Sequence, residues 1–182
     1  MNPEDPRVQR TRDRLRAALL SLAAEQELGS VTMAAVTRRA EVNRATVYKH
    51  YADLDALVAD AMGDAIAHVA RCAELCPLDA PRDRIPAPLN DLFAHVAEHA
   101  VLYRRMFSEQ GSARFTNRLR DRITEVLAAR FTQGARPPGF DDVAPDLHAA
   151  YLAGALVGVI AAAADKDSPE SPAHATWRLL RD

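Results

Sequence analysis

The chain has 182 residues, 48% of them hydrophobic and 26% charged, with only 7 glycines, a composition that excludes disordered and collagen-like chains. That length holds one large domain or two smaller ones. The net charge of −2 conceals an asymmetry, because residues 1–51 carry 9 Lys and Arg against 6 Asp and Glu while residues 52–182 carry 14 against 19. A basic head ahead of an acidic body suits a protein that offers one end to a polyanion.

The opening "MNPEDPRVQR" lacks the apolar core of a signal peptide, so a cytoplasmic protein is expected, and two cysteines in a reducing compartment are expected to stay unpaired. Apolar residues recur at spacings of three and four rather than two, and every segment long enough to read is helical, so an all-α fold is predicted. Val8, Leu15, Leu19 and Leu22 share one face of a first helix, and Gly29 is its expected C-cap. Thr32 offers an N-cap oxygen for a second helix to about Ala40. Asn43 caps a very short third one to about Tyr51. Asp53 caps a fourth, running to Cys76, with Leu54, Leu57, Val58, Met62, Ile66 and Val69 on its buried side.

Four prolines in "PLDAPRDRIPAP" mark a linker. The chain therefore divides into a head (1–52), a linking helix (53–76) and a helical body (77–182). In the body, "LNDLFAHVAEHA", "VLYRRMFSEQ" and "SARFTNRLRDRITEVLAARF" read as helices, the last with a stripe of Phe115, Leu119, Ile123, Val126 and Leu127. "GARPPGFDDVAP" is a loop, residues 146–164 a very apolar helix, and "DKDSPESP" a break before a short helix holding Trp177. The uncharged run from Ala149 to Ala164 is too short and too rich in Ala and Gly to span a membrane, and no membrane partner is expected.

The richest chemistry lies in "AEVNRATVYKHY", Ala40 to Tyr51. Two short helices about three residues apart, the second much the more polar, form the pattern of a helix-turn-helix. On a helical wheel Val47 and Tyr51 point toward the preceding helices. Ala45 and Lys49 centre the opposite arc, flanked by Arg44, Thr46, Tyr48 and His50. Arg44 suits guanine O6 and N7, and Ala45 is small enough to admit a base edge or meet a thymine methyl. Lys49, Thr46, Tyr48 and His50 suit phosphates. A seven-residue helix is about 10 Å long and addresses few base pairs, which implies a dimer.

Residues from about Arg10 to Val58 resemble the DNA-binding domain of the TetR family of bacterial transcription regulators. "TMAAVTRRAEVNRATVYKHY" follows that family's pattern without a gap, with Thr32, Val36, Ala40, Val42, Thr46, Val47, Tyr48, His50 and Tyr51 on pattern positions. The resemblance implies a homodimer on a palindromic DNA operator, released by a small-molecule effector, with repression as the family's usual sign. It places DNA contacts at Thr32, Asn43, Arg44, Ala45, Thr46, Tyr48, Lys49 and His50. Glu41 stands where the family usually has Gly, and Leu54 where many members carry a phosphate-touching Lys. Of the early arginines, Arg7, Arg10, Arg12, Arg14 and Arg16, most are expected to be solvated helix surface, which leaves one or two that could contact phosphate.

Beyond the linker the resemblance implies a ligand-binding and dimerising body. Gly154 and Gly158, four apart among alanines, let another helix come close, and Tyr151, Ala155 and Trp177 join them as expected dimer contacts. Apolar and aromatic candidates for a ligand pocket are Phe93, Leu102, Tyr103, Met106, Phe107, Phe115 and Tyr151. His68, Cys72 and Cys76 recur every fourth residue, with His95 and His99 farther on, a spacing that would serve a metal or thiol sensor, though structural use is the simpler reading. No cofactor is expected. An enzyme or ligand carrier finds no support: Glu-x-x-His, G-x-S-x-G, H-E-x-x-H and a phosphate-cradling Gly loop are all missing. A third alternative is a dimeric interaction protein whose helix-turn-helix no longer reads DNA.

Overall fold

The computed structural model describes residues 6–137, 139–165 and 171–181. Ten α-helices order them: α1 (Pro6–Glu25), α2 (Met33–Ala40), α3 (Arg44–His50), α4 (Leu54–Ala61), α5 (Gly63–Leu75), α6 (Ala87–Glu98), α7 (Ala100–Phe107), α8 (Ala113–Thr132), α9 (Pro145–Asp165) and α10 (Pro172–Arg181). The predicted all-α fold is what forms, with no strand among the described residues. The break predicted at "DKDSPESP" falls mainly on residues 166–170, outside the described residues.

The chain gathers into two compact units. The first comprises the residues up to Gly63 together with Arg105–Phe115; the second comprises Asp64–Arg104 and the chain from Thr116 onward. In the first, α1 packs on α2 and α4. Leu15, Leu19 and Leu22 of α1 meet a core shared with Val36, Val47 and Leu57, all buried. Burying each such side chain is worth about 1.5–3 kcal/mol. In the second, α9 packs on α6 and α10 over a core that includes Leu92, Leu119, Ile123, Ile160 and Trp177. The proline-rich segment 77–86 lies within this second unit and leads into α6, whose N-cap is Pro86.

Two sequence expectations need correction. Gly29 does not cap α1: the helix ends at Glu25, and Gly29 sits inside a 3-10 turn, Leu28–Ser30. A Cβ there would run into the Gln110 side chain, so close approach rather than capping explains this glycine. Nor is 53–76 one helix. It breaks at Met62, whose ψ is 5° and whose N–H is shared between the carbonyls of Asp60 and Val58, and α5 starts afresh at Gly63.

Three helices have their last carbonyls satisfied by a distant arginine of the same unit. Arg105 donates to Ala23 O and Gln26 O at the end of α1, Arg130 to Ala73 O and Cys76 O at the end of α5, and Arg104 to Ala164 O at the end of α9. Each guanidinium meets the negative end of a helix dipole as well as orphan acceptors.

Candidate functional site

The helix-turn-helix is built by three local devices. Thr32 Oγ1 accepts from Ala35 N at 3.1 Å and starts α2, and Asn43 Oδ1 accepts from Ala45 N at 2.8 Å and starts α3. Between them Glu41 adopts a left-handed backbone, φ 50° and ψ 42°. Its N–H reaches Arg38 O while Val42 N reaches Thr37 O at 3.1 Å, a Schellman ending that glycine serves without strain. The left-handed region costs a residue with a Cβ about 1–2 kcal/mol.

The inner side of α3 is fixed by Val47 and Tyr51, both buried. The Tyr51 hydroxyl donates to Asp60 Oδ2 at 2.6 Å and accepts from Arg12 Nε at 3.3 Å, while Arg12 Nη2 reaches Asp60 Oδ1 at 2.9 Å. Burial first, and the carboxylate of Asp60 second, push the phenol up to about 12, with Arg12 opposing. This triad ties the end of α3 to α1 and α4.

The outer side is open. Asn43, Arg44, Ala45, Tyr48 and Lys49 are exposed, as is Thr32; Thr46 and His50 are half-buried. The Arg44 guanidinium lies over the Tyr48 ring, 5.7 Å from its centroid, an arrangement that restrains both side chains. Burial, then the charges of Arg12 and Lys49, lower the proton affinity of His50, so it meets neutral solution as an imidazole and not a cation.

Most neighbouring arginines are already engaged. Arg39 forks onto Glu25 at 2.8 and 2.7 Å, Arg14 lies 3.4 Å from Glu41, Arg16 pairs with Asp13, and Arg12 with Asp60. Arg10, Arg38, Arg44 and Lys49 have no acidic partner among the described residues. The unneutralised charge on α3 therefore sits on the face that carries Ala45.

The second unit holds a cavity of about 520 Å³, in the range of small-molecule sites. Cys72 of α5 and Cys76 just beyond it, His148 and Tyr151 of α9, and Thr176 and Trp177 of α10 are among its walls, and the rest is apolar. Of the seven positions expected to form a pocket, Tyr151 alone lines it. Phe93 and Tyr103 are core residues elsewhere in this unit, Leu102 is half-buried, and Met106, Phe107 and Phe115 belong to the first unit, where the Phe107 and Phe115 rings meet edge to face at 5.5 Å. Trp177, expected at a dimer interface, is wholly buried and donates its indole N–H to Pro81 O at 3.1 Å.

Comparison with known proteins settles the family. Residues 15–61 match the family model described as bacterial regulatory proteins, tetR family, and residues 83–181, more than half of the chain, match that of the transcriptional regulator C-terminal region of TetR proteins. The chain belongs to the TetR family. Its members are DNA-binding transcription factors, so this protein is a transcriptional regulator and not an enzyme. A curated relative, the uncharacterized HTH-type transcriptional regulator YxbF of Bacillus subtilis (strain 168), is 42% identical over 55 residues, 30% of this chain and only 14% of that protein's length. The fold is similar to that of a putative TetR-family regulator from Syntrophomonas wolfei (TM-score 0.66, 14% identity, 94% of this chain and 91% of that one). It also resembles the dihydroxyacetone kinase operon activator DhaS (TM-score 0.60, 11% identity, 93% and 91%).

For this TetR-family chain the thiol and imidazole residues do not assemble a metal centre: no group of three or more His, Cys, Asp or Glu among the described residues is placed to hold an ion. Cys72 Sγ and His68 Nε2 lie 3.6 Å apart, and the His95 ring packs 4.4 Å from His68 and 4.6 Å from His99. Burial pushes the Cys76 thiol up to about 11 and raises that of Cys72, which keeps both protonated and poor as ligands or nucleophiles. Sequence reasoning missed the Arg105–Phe115 segment as part of the helix-turn-helix unit. Ser112 donates to Asp55, Arg114 lies 3.3 Å from both Asp53 and Asp55, and Arg105 closes α1. Nothing in the local pattern of those residues announces such distant partners.

Proposed function

We propose that this TetR-family regulator is a homodimeric, ligand-responsive repressor that binds a palindromic operator and acts in the cytoplasm. The reading of DNA rests on one observation: α3 turns Arg44, Ala45, Tyr48 and Lys49 outward on a backbone anchored by Val47 and Tyr51. Arg44 would read a guanine, Ala45 would admit the base edge, and Thr32, Asn43, Thr46, Tyr48, Lys49 and His50 would hold phosphates or base edges. Neutral His50 would do so as a hydrogen-bond donor. Two such helices in successive turns of the groove stand about 34 Å apart.

Dimerisation is supported by α9. It is 21 residues long, and its most apolar 18-residue window has a mean hydropathy of 1.9, longer than the uncharged run read from the sequence and enough by length and composition alone to cross a membrane, yet only 33% of that window is buried within the subunit. Leu147 is 65% exposed and Tyr151 72%, and Leu179 of α10 is 76% exposed. Gly154 and Gly158 are exposed, and a Cβ on either would meet nothing. Each costs about 0.5–1 kcal/mol against alanine in a helix interior, so the packing of one subunit does not account for them. A second copy crossing closely at Gly154, Ala155 and Gly158 would cover this face.

Selection of bound duplexes from random DNA tests the reading. The expected result is a palindrome with half-sites one helical turn apart, bound by a species that sediments as a dimer. A monomer that prefers no duplex at moderate salt would overturn it.

A further inference from the structure

The short helix α3 has little to hold it. Of its seven residues only Val47 is buried, with Tyr51 just beyond its end. An apolar contact resists separation but has no preferred direction, whereas a hydrogen bond fixes an angle as well as a distance. The directional contact at this anchor belongs to Tyr51, whose hydroxyl donates to Asp60 Oδ2 at 2.6 Å and accepts from Arg12 Nε at 3.3 Å. Asp60 is the hub. One carboxylate oxygen takes the hydroxyl at the end of α3, the other takes Arg12 Nη2 of α1 at 2.9 Å, and the residue itself lies in α4. Arg16, one turn along α1, brings its Nε within 3.9 Å of the same carboxylate.

Base reading is sensitive to how α3 is turned about its axis. A side chain about 5 Å from the axis of its helix moves by about 2 Å when the helix turns by about 20°. That exceeds the range of about 0.5 Å over which a hydrogen bond keeps a good length. A bidentate contact from Arg44 to a guanine is lost over such a shift, whereas attraction to phosphate acts at longer range and on any sequence. We propose that Asp60 is a positioning residue for base reading: through the Tyr51 hydroxyl it fixes the rotation of α3, and so sets how well the protein tells one duplex from another. The proposal rests on the DNA reading given above and deepens it, because Asp60 acts without touching DNA.

Fluorescence anisotropy of two labelled duplexes, one selected from random DNA and one of scrambled sequence, gives the ratio of their dissociation constants for the full-length protein. Unfolded molecules lower binding to both duplexes alike and leave the ratio unchanged, so this readout separates positioning from stability. Tyr51→Phe keeps the buried ring and removes only the hydroxyl. It should weaken the selected duplex about three- to tenfold, part of the value of a bidentate base contact, and leave the scrambled one unchanged. Asp60→Ala should lower the ratio at least as far, while the Arg12 it frees for phosphate acts on both duplexes alike. Adding Tyr51→Phe to Asp60→Ala should lower the ratio no further, since the hydroxyl has already lost its acceptor. An unchanged ratio in either single variant, or losses that multiply in the double variant, would overturn the assignment. Should Asp60→Ala prove unfolded by circular dichroism, Tyr51→Phe decides alone. A parent protein that distinguishes no duplex ends the DNA reading and the role of Asp60 with it. If the parent discriminates and Tyr51→Phe does so equally well, the DNA reading stands and only the role of Asp60 falls.

Discussion

Replacing Glu41 by glycine should stabilise the protein, and the size of the effect follows from the turn itself. Glu41 holds φ 50° and ψ 42°, where a Cβ costs about 1–2 kcal/mol. Glycine removes that cost but loses more backbone freedom on folding, by about 0.5–1 kcal/mol. It also removes the contact with Arg14 at 3.4 Å, an ion pair whose two side chains are 52% and 85% exposed, worth about 0.2–0.5 kcal/mol. The net effect of Glu41→Gly therefore runs from about −0.5 to about 1.3 kcal/mol, a gain at its midpoint. Glu41→Ala keeps the strain and loses the pair, so it should fall about 0.2–0.5 kcal/mol below the parent. The gap between the two variants no longer contains the ion pair and is about 0–1.5 kcal/mol, with a midpoint of about 0.75. Urea unfolding followed by far-ultraviolet circular dichroism measures it, provided the denaturant slopes agree. An alanine variant as stable as the glycine variant would refute the claim that this turn stores strain.

On the DNA side, Arg44→Ala should cost about 1–3 kcal/mol on the selected duplex and much less on random DNA, while Lys49→Ala should weaken both and reduce the salt slope by about one. Titrations across a salt series distinguish base reading from phosphate contact, and equal losses for Arg44→Ala on both duplexes would remove it from base reading. Gly158→Leu should leave subunit helicity intact, since a Cβ there meets nothing, yet shift sedimentation from dimer to monomer. On the alkaline side, the unfolded Cys76 thiol ionises near its ordinary value of 9 while the folded one holds its proton to about 11, so this contribution to stability is complete below pH 9 and lost as pH rises toward 11. Unfolding midpoints measured from pH 8 to 11 should fall, and Cys76→Ala should flatten that fall. On the acid side, His95, His148 and His50 hold protons less tightly than free imidazole, so stability should be present above pH 6.5 and decline as pH falls below it, read from the same midpoints at pH 5 and 7.

The local devices were legible in the sequence because each depends on neighbours along the chain. Thr32, Asn43 and Asp53 cap the helices they precede, Val47 and Tyr51 turn inward, and the Phe115 to Leu127 stripe is buried. Glu41 was identifiable as a departure because the turn it occupies has a fixed backbone demand. The cavity was not legible, since a leucine facing an empty space and a leucine facing another leucine have the same spacing: Leu89 and Leu92 line it, and Phe93, next in line, does not. Helix continuity failed in a similar way at Met62, where apolar periodicity runs on through a break in the hydrogen bonding. The role of Arg12 among the early arginines, and of Arg39 in α2, also escaped, because they find their carboxylates 48 and 14 residues away.

Arg105 and Ser112 reach partners that precede them by 82 and 57 residues. On a ribosome, α1 to α4 emerge long before the pieces that close them, so the head is expected to stay open at the end of α1 until the chain has been made past Phe115. A truncated gene product ending at the proline-rich segment would carry every residue proposed to face the groove, yet leave the carbonyls of Ala23 and Gln26 without their guanidinium and Asp55 without its hydroxyl donor. Grafting this head onto another body calls for transplanting two separate stretches, not one.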